Sequence, residues 1–455
     1  MKLFVRDKEF YKSYLSMTFV IALQNLITFA VNLADNIMIG GYSQVALSGV
    51  SMVNQVQFML RMLMLGTGSA IGVLGAQYWG KKELQPIRKV TSIGTLLGVI
   101  FAAVMMVLVY FFPHETLRLL TNEQAVIHEG SKYLVIICFS YVLFAITQNL
   151  LSALRAVETV GIGFAVNLIA LVFNVVLNYG LIYGNLGMPE LGVEGAAIAT
   201  LIARIVEFLI VVIYVLFMDK KICWRFKHLF HIDVQMLRDY IRVGLPVILA
   251  NGIWGIAMSV QTSILGHLGD DTIAANSIAT TIFQVVSVVT YAGSTASGVL
   301  IGKTVGEGDI PRVKAYTKTL QILFLITGVL TGLTLYSCRD FIISLYDVTE
   351  AAAELSRQFI LVLSFTVVGT SYQCSCLTGI VTSGGDTKFV LINDLIHQWL
   401  IVIPSAYLSA FVFHWPMWVT VLCLKSDQIL KCFVAVVKVN RYKWIHVLTR
   451  EEISQ

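Results

Sequence analysis

The sequence has little charge. Asp, Glu, Lys and Arg make up 13% of its 455 residues, against about 25% in soluble proteins. Apolar runs fill the chain, 57% of which is hydrophobic, so the deficit excludes a soluble domain and points to a polytopic membrane protein. A disulfide framework and a cysteine metal site are also missing: the 7 cysteines are scattered and mostly lie in apolar runs, with only Cys374 and Cys376 close together. They read as small core residues. No cleavable leader is expected, because MKLFVRDKEFYKSY mixes both charge signs and is followed by a full-length apolar run without a small-residue cleavage site; it is expected to form an interfacial helix. A phosphate loop is absent as well. Gly298-Val-Leu-Ile-Gly302-Lys303-Thr304 has three residues between its glycines where four are needed. His114-Glu115 and His128-Glu129 lack the second histidine of a zinc hydrolase helix. No Ser/His/Asp set emerges from spacing, and an enzyme is not expected.

Twelve segments reach the roughly 20 apolar residues that a membrane crossing requires: 14–40, 46–75, 90–112, 133–154, 162–183, 195–217, 241–266, 273–301, 319–337, 359–381, 389–413 and 418–439. The last is interrupted by Lys425, Asp427 and Lys431, the latter two spaced as a helical ion pair with the acid first. Of the 32 Lys and Arg residues, 24 fall on one set of ends and loops, 4 on the other (Arg118, Lys132, Arg339, Arg357) and 4 within spans (Arg61, Arg204, Lys425, Lys431). The positive-inside rule then puts both termini in the cytoplasm. The formal charge of +5 follows from these anchors near anionic lipid and does not imply nucleic acid.

The chain repeats. Laying Asn25 on Asn251 aligns the first two spans with the seventh and eighth without a gap: Gly40 then meets Gly266, Ser51 meets Ser277, Ala70-x-Gly72-Val73-Leu74 meets Ala296-x-Gly298-Val299-Leu300, and Gly80 meets Gly306. Two halves of six spans follow: an N-terminal lobe 1–218, a cytoplasmic linker 219–240 and a C-terminal lobe 241–455. An even number of spans per half preserves orientation, so the halves relate by a two-fold axis along the membrane normal, a transporter arrangement with cargo held between repeats near the midplane.

The repeat is chemically unequal. Asn25, Thr28, Asn32 and Asp35 fall on one stripe of the first span, opposite Leu, Ile, Phe, Val and Met. A carboxylate facing lipid would cost at least about 2.5 kcal/mol, so the stripe faces protein or water and Asp35 becomes a functional candidate; a structural capping or pairing role is the alternative. Its repeat partner, Gln261, cannot titrate. The fifth span carries Asn167, Asn174 and Asn178 on one face, and the eleventh carries Asp394, His397 and Gln398 one register step away. Gln55, Gln284, Asn251 and Gln261 are further candidates for the substrate cavity, with Asn25, Asp394 and His397. His397 has no second ligand at metal spacing.

The order of motifs resembles the multidrug and toxic compound extrusion (MATE) family over essentially the whole chain. These are ADNIMIG in span one, GAQYWGKK after span two, LRAVETVG after span four, VGEGD after span eight, TSGGDTKF after span ten and a basic ending, LKSDQILKCFVAVVKVNRYKWIHVLTR. The resemblance implies a V-shaped pair of six-helix lobes that alternate between outward- and inward-open forms and export cationic or amphipathic compounds in exchange for H⁺ or Na⁺. The family's first-span acid matches Asp35, and its fifth-span pair matches Asn174 and Asn178. The second of these is an amide here, which leaves one carboxylate fewer. Many members carry a Glu in the seventh span three residues before a Trp; here that position is Asn251 before Trp254, and an amide releases no proton. Glu158 stands where the family usually has Gly, without a physical reason.

The chemistry can be stated from the residues alone. Desolvation favours a neutral carboxyl and a nearby cation favours its charged form, so a proton and a cationic cargo compete for one acid. Asp35 lies five residues before Gly40, about 7–8 Å along the axis, and hence in the outer half of the membrane. The expectations are coupling by Asp35, Asn32, Asn174 and Asn178, no cofactor beyond the coupling ion (Na⁺, if used, at Asp35), organic cations and the bilayer as partners, and a monomer in the plasma membrane. Two alternatives stay open: a lipid-linked oligosaccharide flippase of the same superfamily, which would favour an Arg-rich cavity for pyrophosphate, and a membrane-embedded enzyme.

Overall fold

The computed structural model describes residues 4–230, 233–344, 346 and 348–450, and among them there is no strand. The helices are α1 Lys8–Tyr42, α2 Gln44–Gly80, α3 Leu84–Phe111, α4 Pro113–Arg118, α5 Gln124–Ile137, α6 Ser140–Ala156, α7 Gly161–Tyr183, α8 Gly192–Ile213, α9 Val234–Gly266, α10 Asp270–Val286, α11 Val288–Gly306, α12 Ile310–Ile343, α13 Glu350–Cys374, α14 Thr387–Leu395, α15 Ile403–Tyr407, α16 Met417–Leu424 and α17 Ser426–Asn440. Wider π turns extend α8, α13 and α14 and follow α15. Nine of the crossings formed by the described residues are single apolar helices, and two more are bent pairs, α5–α6 at 56° and α10–α11 at 43°. The twelfth expected crossing is α16 and α17, broken at Lys425. The expected interfacial helix at the N-terminus is not separate: from Lys8 onward it forms the first turns of α1. Its residues 1–3, and residues 231–232 of the expected linker, lie outside the described part.

The repeat extends well beyond the first two spans. Helices begin at Lys8 and Val234, Gln44 and Asp270, Leu84 and Ile310, Gln124 and Glu350, and Gly161 and Thr387, every pair separated as Asn25 is from Asn251. The sixth pair, Gly192 and Met417, is closer by a single position. Five of the six spans in each half therefore keep one register and the sixth is offset by one position, and the chain is an all-α membrane protein of two pseudo-symmetric six-helix bundles. The breaks do not repeat. α2 runs straight through Arg61, whose counterpart is Ser287, where α10 gives way to α11.

By packing, the chain divides into two compact units. One is Leu23–Gly75 with Glu83–Ile248. Its core is built from Ile39, Val53, Leu60, Ala102, Leu134, Tyr141, Ile182 and Ala197. Water drives little association between helices inside lipid, so close backbone contact must do so. Accordingly α7 and α8 pair where a Cβ on Gly195 would run into the Leu181 carbonyl.

The other unit is Met1–Ala22, Ala76–Lys82 and Leu249–Gln455. Ile264, Ile282, Leu335, Phe359, Val367, Val402 and Val421 form its core. At one end the terminal turns of α2 and α11 cross on glycine: a Cβ on Gly80 would strike the Lys303 carbonyl, and one on Gly306 would strike that of Gln77. Gln77 is the repeat counterpart of Lys303, as Gly80 is of Gly306, so the contact is reciprocal, as a two-fold operator requires. Gln77 is held there by the chain's end: its Nε2 donates to the Ser383 carbonyl (3.1 Å) and the His446 carbonyl (3.2 Å), and its Oε1 accepts from the Leu448 amide (2.8 Å).

Candidate functional site

Within the unit formed by 23–75 and 83–248, α1, α7 and α8 bring polar side chains together at membrane depth. Asp35 is half-buried on α1. On α7, Asn174 and Asn178 are one turn apart and 1% and 0% exposed. Amides so placed, surrounded by apolar side chains, must find polar partners or bear the cost of desolvation. The Asn178 Nδ2 donates to Asp35 Oδ1 and, at 3.3 Å, to Asn174 Oδ1. Asn174 Nδ2 in turn donates to Thr200 Oγ1 on α8 at 3.3 Å. Asn178 is thus the branch point, donating on one side to the carboxylate and on the other to Asn174, which passes a donor on to Thr200. Asn178 Oδ1 is buried and accepts no hydrogen bond among the described residues.

One turn along α8, Arg204 Nη1 pairs with Glu207 Oε2 at 2.7 Å, and the guanidinium lies 5.0 Å from the centre of the Phe144 ring. Arg204 is also within electrostatic reach of both Asp35 and Arg61. A cation already neutralised by Glu207 tunes the field at Asp35 without occupying the carboxylate. Two turns earlier on α1 there is a second polar contact with α7, in which Asn167 Nδ2 donates to Thr28 Oγ1 at 3.0 Å.

The expected residues divide as follows. Asp35, Asn174 and Asn178 meet. Asn32 is exposed and Asn25 half-buried, both on α1 away from the amide pair's hydrogen bonds, and Gln55 is exposed on α2. In the other unit Asn251 is half-buried, Gln284 exposed and Gln261 buried. His397 is buried, with Nδ1 2.8 Å from the Asn393 carbonyl. Asp394 pairs with Lys431 Nζ at 2.8 Å. Thr200 escapes a reading of the sequence because nothing in its flanks, Ala-Ile-Ala-Thr-Leu, distinguishes it; only its place opposite Asn174 on the antiparallel partner helix does so. No group of three or more His, Cys, Asp or Glu side chains able to hold a metal occurs among the described residues.

The family model MatE matches residues 21–180 and 246–408. A probable multidrug resistance protein NorM of Listeria innocua is 25% identical over 410 residues, covering 88% of each chain. One of the same name from Thermotoga maritima is 23% identical over 435 residues, covering 95% of this chain and 93% of its own. Among solved structures, the Vibrio cholerae MATE transporter VcmN in its bent form superposes with a TM-score of 0.85 at 17% identity, covering 97% of both chains. A Pyrococcus furiosus transporter of the MOP superfamily does so with a TM-score of 0.86 at 17% identity, again over 97% of both.

Proposed function

The chain belongs to the MatE family, and on that premise we propose that it is a secondary active exporter of cationic or amphipathic organic compounds, exchanging them for H⁺ or Na⁺ by alternating access. The observation that carries this reading is the Asp35 carboxylate held by Asn178 at membrane depth, in a fold with no other acid on the polar stripe of α1. Asn178 donates to the carboxylate and is itself held by Asn174; a donated hydrogen bond suits the charged form and half-burial the neutral one. Small changes around it therefore decide whether it holds a proton, a metal cation or an organic cation. Facing outward, Asp35 takes the coupling ion and lets the cargo go; facing inward, it loses that ion and accepts the next cargo. Asn32, exposed one turn earlier on the same helix, offers a hydrogen bond to the cargo.

In this reading the lobes that move are 1–218 and 241–455 joined by 219–240, the protein acts as a monomer in the cytoplasmic membrane, and both termini are cytoplasmic. The relatives named for multidrug resistance support a broad substrate range, and the basic loops support the orientation. The flippase alternative needs free guanidinium groups for pyrophosphate; Arg204 is engaged by Glu207, which favours the cation exporter. The test uses proteoliposomes loaded with ethidium. Efflux should accelerate under an imposed pH gradient or an imposed Na⁺ gradient, and the gradient that works names the coupling ion. Efflux unaffected by either, for ethidium and for a panel of fluoroquinolones and quaternary amines, would overturn the reading.

A further inference from the structure

The residues that follow α17 are built into the unit that contains 249–450. From Arg441 to Arg450 they form neither helix nor strand, yet they are held on two sides. One side is the turn that precedes α14. Trp444 is fully buried there, and a Cβ on Gly384 would strike its ring. The Trp444 Nε1 donates back to the Val439 carbonyl at 2.9 Å, and the His446 amide donates to the Gly384 carbonyl at 2.8 Å. Lys438, in the last turn of α17, pairs with Asp386 of the same turn at 2.6 Å. The other side is the last turn of α2. Gln77, itself buried, donates to Ser383 and His446 and accepts from Leu448. The Arg450 amide donates to Tyr78 Oη at 3.4 Å, and Lys81 Nζ donates to the Arg450 carbonyl at 3.2 Å.

The two sides differ in kind. Towards the turn, a tryptophan ring sits in a seat that only glycine leaves open, beside an ion pair. Towards α2, the grip consists of hydrogen bonds, and these exchange for bonds to water at a modest net loss. Helix α2 is itself shared. Its residues up to Gly75 pack in the unit formed by 23–75 and 83–248, and Ala76–Lys82 pack in the unit that contains the tail. A helix shared in this way cannot stay straight and keep both sets of partners when the units rearrange, as alternating access requires. The line of easiest parting runs between α2 and the tail. Gly80 and Gly306, which cross beside it, present no side chains that would have to disengage. The repeat counterpart of Gln77 is Lys303, which donates but cannot accept, so a grip on both a carbonyl and an amide is made at one end only.

We propose that residues 444–450 are a latch. They hold the last turn of α2 against the turn before α14 while the cytoplasmic side is shut, and they let go of Gln77, Tyr78 and Lys81 when it opens. Trp444 keeps the tail seated throughout, so the same hydrogen bonds form again when α2 returns. The inference rests on the alternating-access reading above and on its orientation, which puts the end of α2 and the tail on the cytoplasmic face.

The experiment ties the latch. The full chain, its 7 cysteines replaced by serine, carries Lys81→Cys and Arg450→Cys. A short bis-methanethiosulfonate reagent, applied to the purified protein, joins the two thiols through two disulfides and releases methanesulfinate. In proteoliposomes loaded with ethidium, gradient-driven efflux should fall at least tenfold on cross-linking and recover with dithiothreitol. The untreated chain and each single-cysteine chain given the reagent should keep the parental rate. A second measurement needs neither transport nor cysteine replacement: residue-resolved hydrogen exchange of a Gln77→Ala chain. The Leu448 amide should exchange at least tenfold faster, while the His446 amide, bonded to Gly384, keeps its protection. Equal loss at both would mean that the tail unseats as a whole and would overturn the latch. Efflux at the parental rate from the cross-linked chain would overturn it too, with cation export left standing. If the parental chain exports no cation under either gradient, both fall.

Discussion

A single carboxylate, Asp35, and the amide that donates to it carry the proposed chemistry. Asp35→Asn keeps shape and hydrogen bonding but removes the charge, so gradient-driven export should fall at least tenfold with insertion and thermal unfolding near the parental values; export at the parental rate would pass the role to Asp394. Asn178→Ala should act differently. It strips a buried donor from the carboxylate, worth about 1.5–3 kcal/mol for a hydrogen bond to a charged group, and so should shift the pH at which export is half-maximal rather than abolish it. Asn178→Asp, which restores a second acid, should retain part of the activity. Of this site the sequence makes Asp35, Asn174 and Asn178 legible, because helical periodicity puts an isolated acid and a pair of amides on interior faces. Asn32 shares that stripe yet is exposed, since a stripe specifies an angle around the helix and not what stands opposite each turn. Thr200, Arg204 with Glu207, and the bridge from Lys431 to Asp394 depend on which helices touch, which no spacing within one helix contains.

Helices α1 to α17 were legible as crossings wherever apolar length decides, and the first two repeat pairs were legible from shared glycines. The common register of the remaining pairs was not, because their side chains have diverged while their starting points have not. The break at Ser287 was hidden inside an apolar run, whereas the one at Lys425 falls where charged residues interrupt the last span. The start of α1 gives a prediction of its own. Asp7 Oδ1 accepts from the backbone amides of Glu9 (2.9 Å) and Phe10 (3.3 Å), capping the helix, and its Oδ2 accepts from Tyr316 Oη on α12 at 2.6 Å. The Tyr316 hydrogen bond, the largest influence, and the two amides hold the carboxyl below its ordinary 3.8, against a smaller opposing effect of burial. A group with a lowered folded-state value stabilises above its unfolded value and loses that contribution as pH falls through the folded one. Asp7→Asn should therefore lower the thermal midpoint by a constant amount between about pH 5 and 8, and the difference should shrink below about pH 4. A difference that grows on acidification would refute the assignment.

For the molecule as a whole, the proposed orientation is checked by a native thiol. Cys223 is exposed between α8 and α9, on the stretch richest in Lys and Arg. In a Cys338→Ser chain, a membrane-impermeant maleimide should leave Cys223 unlabelled in intact cells and label it in everted vesicles; labelling in intact cells would invert the topology. The two halves that this orientation relates also meet in themselves, at Gly80 and Gly306. Where no such contact ties them, the two halves differ: Asp35 faces no acid at 261, and Asp394, paired with Lys431, has Leu168 as its counterpart. At the crossing they have no such freedom. A methyl added to either glycine lands on a backbone carbonyl of the opposite half, and a carbonyl cannot be mutated away. A duplicated ancestor would have carried this contact as one turn of helix meeting its own copy, so the crossing is where the two copies are least able to drift apart.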